Sequence, residues 1–334
     1  MPARFERWRD LLAGLRPRYL RLLVVWSRVQ PRRDAPPDWS APADGCLRGR
    51  PPCEPFAGVR DELRAARDAG LQVVVTILAT PRWAAAGPAG CERPGTQPSS
   101  RMPADLGAYR ALVRSLLAEG RREGADLRFW SAWNEPNHPA FLNPQHATCD
   151  AGAAALTPAR YARLVRALRA ELDAAPGDQR VVLGETAALR SSTPTTTGAA
   201  DFARALPRDV ACSAGVWAQH AYVDVESELA GDADPGAVVR DVEAALASHG
   251  CGGPPPRVWV TETGVEAGSG RDGCRALARA LQAWAGDPRV DAAFQYTFRE
   301  DDAFRVGLAD AELTRLRPAY AAWRGAADGA RARC

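Results

Sequence analysis

The sequence contains no lysine; all 43 of its basic side chains are arginines, set against 40 Asp and Glu. A GC-rich codon bias accounts for this as well as any physical need does, and no function follows from it. The formal net charge is only +3 over 334 residues, too small a surplus to suggest a nucleic acid or an anionic membrane as partner. No apolar run reaches the roughly 20 residues of a membrane-spanning helix, so no membrane span is expected. The opening MPARFERWRD lacks the apolar core of an export signal. There is no C-x-x-C pair and no H-E-x-x-H stretch, so spacing offers no metal centre. No metal and no cofactor is expected.

What is present begins with cysteine. The count of 8 is even, which suits disulfides and an oxidising, extracellular setting. Cys46 and Cys53 flank a Gly/Pro-rich stretch, Cys91 and Cys149 fall in loops assigned to one face, and Cys212 and Cys251 sit near the entries of two neighbouring strands at the other face. Each of these pairs is a candidate bridge. Composition is 46% hydrophobic and 25% charged, as in a globular fold, and no domain break interrupts residues 1–334.

Periodicity then sets out the elements. Residues 3–15 place Phe5, Trp8, Leu11, Leu12 and Leu15 on one helical face, and 18–29 read as a strand. Helices are expected over 56–69, 106–121, 158–174, 198–206, 235–248, 272–285 and 318–327, the third opened by an N-cap at Thr157 and the fifth by Asp234. Strands are expected over 71–78, 127–133, 180–185, 216–222, 257–263 and 290–298. Regular alternation of strand and helix implies a parallel sheet, and seven strands favour a closed barrel over an open sheet. Links from helix to strand are short and links from strand to helix are long, so elaboration gathers on the face where strands end, where barrel active sites lie.

Two carboxylates stand at that face. Residues 129–138 read FWSAWNEPNH, with Glu135 where an apolar run gives way to a Pro-containing loop, and 257–264 read RVWVTETG, with Glu262 closing a β-rich run. A pair of acids at strand mouths is what hydrolysis of a glycosidic bond requires.

The WNEP and TETG stretches together resemble clan A of the glycoside hydrolases, family 39 or family 5, over most of the chain. The resemblance implies an α/β fold, the (β/α)8 TIM barrel, as a single domain. It makes the first strand here the second of the barrel and leaves no room for a first, so the first strand and any export signal are expected upstream of a truncated start; the alternative is that a different segment closes the barrel. It implies a secreted, monomeric, retaining β-glycosidase acting on an oligosaccharide, polysaccharide or glycoside. Glu135 would be the general acid/base, which must hold a proton near neutral pH, and Glu262 the nucleophile. The carboxyl groups of such a pair lie about 5–5.5 Å apart, against more than about 6.5 Å for inversion. Asn134 would bind the sugar 2-hydroxyl and Arg21 would partner Glu262. His220 and Tyr222, two apart on one strand, would share a face, with Tyr222 bonded to Glu262. Trp83 matches a TP-x-W stretch, and Trp83, Trp26 and Trp133 are candidate sugar platforms. His138 lies close enough to the motif to touch substrate. Phe298 stands nearest the place where the family carries a Trp, a departure that bears on the sugar bound. Two other readings are a carbohydrate-binding pseudoenzyme on the same barrel, which the presence of both glutamates opposes, and a metal-dependent barrel hydrolase, which the lack of ligand spacing opposes.

Overall fold

The computed structural model describes residues 6–41, 58–231, 234, 236–300 and 304–334. Among these residues seven strands alternate with helices: β1 Tyr19–Val25, β2 Gln72–Leu78, β3 Asp126–Ser131, β4 Arg180–Thr186, β5 Val216–His220, β6 Arg257–Thr263 and β7 Val290–Gln295. The helices are α1 Glu6–Gly14, α2 Trp26–Val29, α3 Gly58–Asp68, α4 Leu106–Glu123, α5 Thr157–Ala174, α6 Ala199–Arg204, α7 Arg208–Ala211, α8 Tyr222–Ala230, α9 Ala237–Ala247, α10 Gly270–Gly286 and α11 Ala319–Ala327. The strands form one parallel sheet in sequence order, β1 to β7.

The sheet curls back on itself. The ring of Tyr19 on β1 lies 5.7 Å from that of Phe294 on β7, and both contact Trp259 of β6. Strands enclosed in this way are covered on both faces, which is why they read as nearly continuous apolar runs. Their outward residues, such as Leu22, Val75, Ile77 and Trp130, pack beneath helices. Their inward residues form a second, smaller cluster of Val74, Phe129, Val182, Ala218 and Trp259, with Tyr19 and Phe294 against it. Between β1 and β7 lies a cavity of about 1020 Å³, lined by both edges through residues such as Leu20, Leu23, Val290 and Phe294. It occupies the place of an eighth strand, and none of the described residues fills it as one. The fold is thus the expected (β/α)8 barrel, short of one strand among the described residues.

Several local expectations change. β1 stops at Val25, and Trp26–Val29 turn into the short helix α2. β3 ends at Ser131, so Trp133 and Asn134 stand beyond the strand. Helix α5 starts at Thr157 itself, whose hydroxyl donates to Gln145 Oε1 rather than capping. The residue preceding α9 is Gly236 in the left-handed region, not Asp234. β5 ends at His220, and Tyr222 begins α8 instead of continuing the strand. Helix α4 follows its sequence signals at both ends: the Asp105 side chain accepts from the Gly107 N–H, and Gly124 closes it at φ 70°.

Among the described residues three disulfides are formed: Cys91–Cys149, Cys212–Cys251 and Cys274–Cys334. The first two were expected from position. The third, which fastens α10 to the end of the chain, was not. Cys46 and Cys53 lie outside the described residues. Cys274 and Cys334 are 60 residues apart, a closed loop worth roughly 4 kcal/mol by chain-entropy reasoning. Replacing both by serine should therefore lower the melting temperature by about 6 °C for a chain of this size, measured by calorimetry. Peptide maps showing both thiols free in the native protein would contradict the pairing.

Candidate active site

The polar floor of the site follows from the two-residue period of a strand. Two positions beyond each inward apolar residue, towards the C-terminal mouth, comes a polar one: Arg21 after Tyr19, Thr76 after Val74, Ser131 after Phe129, His220 after Ala218 and Thr261 after Trp259. On β4 the spacing is three, from Val182 to Glu185, because the pairing of β4 with β5 slips between Gly184 and Thr186. This bulge places Glu185 at φ 54° and turns its side chain into the barrel. Gly184 permits it: at φ 94°, a Cβ there would stand 2.4 Å from the backbone oxygen of Ala218.

Glu185 is fully buried and accepts six hydrogen bonds. Arg21 gives two, Nε to Oε1 at 3.3 Å and Nη2 to Oε2 at 2.7 Å. Thr76 and Ser131 donate to Oε1 at 3.2 and 3.1 Å, and Thr261 to Oε2 at 3.0 Å. His220 Nε2 lies 2.9 Å from Oε2. Above this floor Arg21 Nη1 donates to Glu262 Oε1 at 2.5 Å, and Nη2 to Asn134 Oδ1 at 2.7 Å. His220 Nδ1 lies 2.7 Å from Glu135 Oε1 and 3.5 Å from Glu262 Oε2. The Tyr222 hydroxyl donates to Glu262 Oε2 at 3.0 Å. Glu135 takes its orientation from an uncommon backbone, φ 39°, and from its own N–H, which donates to the Glu185 carbonyl at 2.8 Å.

The charges account for the proton affinities. Burial alone would raise the Glu185 pKa, but Arg21 and His220 outweigh it and hold the carboxyl down at about 2. Burial alone would lower that of His220, but Glu262, Glu135 and Glu185 outweigh it and push it up to about 10. Arg21 moves up for the same reason, and Tyr222 moves up through burial and its bond to Glu262. Both ring nitrogens of His220 then carry protons and donate.

The structure thus brings together Glu135, Glu262, Arg21, Asn134, His220 and Tyr222. Tyr222 arrives from the first turn of α8, not from a shared strand face. It leaves the expected platforms elsewhere. Trp26 is wholly buried against Trp83 and Tyr109. Trp83 is half-buried, with its indole N–H donated to Gln30 O. Trp133 is buried with its indole N–H on Phe141 O. Phe298 packs against Leu308, Ala309 and Leu313 in the core clusters beneath α10 and α11. His138 lies against Phe141 and accepts from the Ala140 N–H. The aromatic rings beside the cluster are instead Tyr296 and the partly exposed Phe304, whose ring stands 5.0 Å from that of Tyr222 and 6.0 Å from that of Tyr296. Glu185 was also missed. Its signal was present, since RVVLGET is a third apolar run closed by an acid.

Among the described residues, Glu135, His220 and Glu262 each offer a donor atom within 4.8 Å of the others. The distances would suit a divalent cation, but the donor chemistry does not: a doubly protonated imidazole has no lone pair to give, and Glu262 already accepts from Arg21 and Tyr222.

No protein-family model and no curated protein matches the sequence. Solved structures do. A family 39 β-xylosidase from Caulobacter crescentus superposes at TM-score 0.60 with 17% identity, over 96% of this chain and 66% of that one. A GH5_18 protein from Streptomyces cattleya, in complex with GlcNAc, gives 0.63 and 17%, over 97% and 74%. An exo-β-1,4-mannosidase from Opitutaceae bacterium strain TAV5 gives 0.57 and 16%, over 96% and 54%. The chain spans less than two thirds of the length of the xylosidase and of the mannosidase.

The network carries a pH signature. His220 has a raised pKa when folded, so its contribution to stability is complete below about 6.5 and is lost as pH climbs through about 10. Glu185 has a depressed one, so its contribution is complete above about 4.5 and is lost as pH falls through about 2. Thermal melts should therefore show both contributions in full between about pH 4.5 and 6.5. His220→Gln should flatten the alkaline decline; an identical slope in variant and wild type would refute the charged state of His220. At the level these neighbours establish, the chain has the barrel fold of clan A glycoside hydrolases.

Proposed function

We propose that the chain is a retaining β-glycosidase, with Glu135 as general acid/base and Glu262 as nucleophile. The observation that carries this reading is the spacing of the two acids: a carboxylate oxygen of each lies within 4.8 Å of the other, near the roughly 5–5.5 Å of double displacement and well short of the gap that an inverting enzyme leaves for water. Family 39 and family 5 neighbours, named as β-xylosidase and exo-β-1,4-mannosidase, support β-linked sugars as the substrate class. Three disulfides support an oxidising compartment.

In the proposed first step Glu262 attacks the anomeric carbon while Glu135 gives its proton to the leaving oxygen. Arg21 and Tyr222 hold Glu262 from two sides, so its oxygens are fixed and its negative charge is stabilised in place. In the second step water, deprotonated by Glu135, attacks the glycosyl-enzyme and releases Glu262. Asn134, held by Arg21 through Oδ1, keeps its amide N–H groups for the sugar 2-hydroxyl, a contact that strengthens in the transition state. Phe304 and Tyr296 offer ring faces beside the nucleophile for the C–H face of a sugar.

A panel of aryl β-glycosides and polysaccharides tests the reading. Wild type should cleave at least one, and Glu262→Gln should lose about 10⁴-fold or more in kcat, as removal of a nucleophile does. Failure of wild type on the whole panel, or full activity in the variant, would overturn it. Glu135→Ala should lose about 10²–10⁴-fold on a poor leaving group, accumulate glycosyl-enzyme on an activated one, and regain turnover with azide. Absence of azide rescue would remove Glu135 from the acid/base role.

A further inference from the structure

Glu185 takes no part in the two steps above, yet it is the most heavily bonded side chain of the site. A carboxylate buried without water is costly unless it is paired. Here the pairing draws on five other strands of the barrel. Arg21 comes from β1, Thr76 from β2, Ser131 from β3, His220 from β5 and Thr261 from β6, all bonded to its oxygens. Tyr161 of α5 stands behind it, with its hydroxyl accepting from the Gly184 N–H. The charged groups next outward are Glu262 and Glu135.

The sum of these charges is informative. Arg21 and His220 contribute two positive charges; Glu185 and Glu262 contribute two negative ones. The four cancel, and the proton on Glu135 then decides the net charge of the whole buried cluster: zero with the proton, minus one without it. Without Glu185 the remaining three would sum to plus one, and the cluster would favour the loss of that proton. One cation, His220, bonds Glu135 directly, and the other, Arg21, bonds its neighbours Glu262 and Asn134; unopposed, such a pair would suit a permanent carboxylate, which cannot donate.

We propose that Glu185 is a positioning residue that sets the protonation of the active site: its buried negative charge offsets Arg21 and His220, so the two cations can orient Glu262 and Glu135 without stripping the proton that Glu135 must deliver. This rests on the glycosidase reading. It assigns the third carboxylate to neither chemical step; it acts through the two basic side chains it holds. The short bond from His220 to Glu135 transmits the effect, because His220 is bonded to Glu185 at one nitrogen and to Glu135 at the other. The raised proton affinity of His220 described above is consistent with that arrangement.

Two measurements test it, one independent of activity. In wild-type protein labelled at its four histidines, NMR titration should show His220, assigned by its loss in His220→Gln, still an imidazolium at pH 8. A neutral His220 at that pH in the folded protein would overturn the proposal whether or not any variant folds. In Glu185→Gln, isosteric but uncharged, the His220 midpoint should fall by about one pH unit or more, since removing a neighbouring negative charge disfavours every nearby proton. The basic limb of the kcat/KM profile, on whichever aryl β-glycoside wild type cleaves, should move to lower pH by a similar amount. The loss at pH 7 should be larger for a poor leaving group than for dinitrophenolate, which needs no proton. Glu185→Asp, which keeps the charge but shortens the reach, should lower the rate and leave the limb near its wild-type position. A merely structural Glu185 would instead lower the rate at every pH with both limbs in place, and that outcome overturns the proposal while leaving the glycosidase reading intact. A wild type that cleaves nothing would remove the glycosidase reading, and the NMR titration would still report on the charge coupling.

Discussion

The contact on which the site depends is the paired, desolvated bridge between Arg21 and Glu185, with His220 on Oε2, the carboxylate oxygen that also takes the shorter Arg21 bond. Each partner is expensive to bury alone. Together they satisfy one another inside a barrel whose floor is otherwise aromatic and aliphatic. Because Arg21 belongs to the first described strand, Glu185 to the fourth, His220 to the fifth and Glu262 to the sixth, this bridge also ties the curl of the sheet together across its middle. Loss of one partner would leave the remaining buried charges out of balance, so geometry and stability are coupled at this point.

The fold supplies the rest by simple periodicity. Parallel strands present alternate residues to the interior, so a polar residue stands two beyond an apolar one on β1, β2, β3, β5 and β6. On β4 the spacing is three, and the slip in register there puts the Glu185 carboxylate within reach of both cations. The loops beyond the strands then bring in the groups that have no strand to stand on. Glu135 and Asn134 follow β3 through a turn that is anchored when Asn137 bonds the backbone of Ala187 and Thr197, and Tyr222 comes from the helix after β5. The disulfide Cys91–Cys149 links two of the long loops on this same face.

Much of this was legible in the sequence. The strand over 257–263 has the bounds read from its apolar run, and the strand–helix alternation identified the parallel barrel, of which seven strands stand among the described residues. WNEP and TETG pointed at two residues that do meet. What escaped had physical reasons. Tyr222 leaves the strand because β5 ends at His220, a boundary that the apolar pattern of VWAQHAY does not mark. Phe298 was chosen for its nearness to the strand end; β7 stops at Gln295, and the chain turns Tyr296, not Phe298, toward Tyr222. Trp26 looked available because a Trp at a strand end is a common platform, whereas here the chain coils into a helical turn and buries it. Glu185 was passed over because an acid alone at a strand end has no visible partner; Arg21 and His220 lie 164 and 35 residues away along the chain.

Each of these features converges on one proposed event, attack by Glu262 on an anomeric carbon under a proton held by Glu135. That event leaves a stereochemical record. Proton NMR of the anomeric signal during early hydrolysis of a β-glycoside, before mutarotation, is the most direct test. The β anomer should form first, because two displacements at one carbon restore the original configuration. First appearance of the α anomer would mean a single displacement by water, and would contradict a pair of acids spaced for a covalent intermediate.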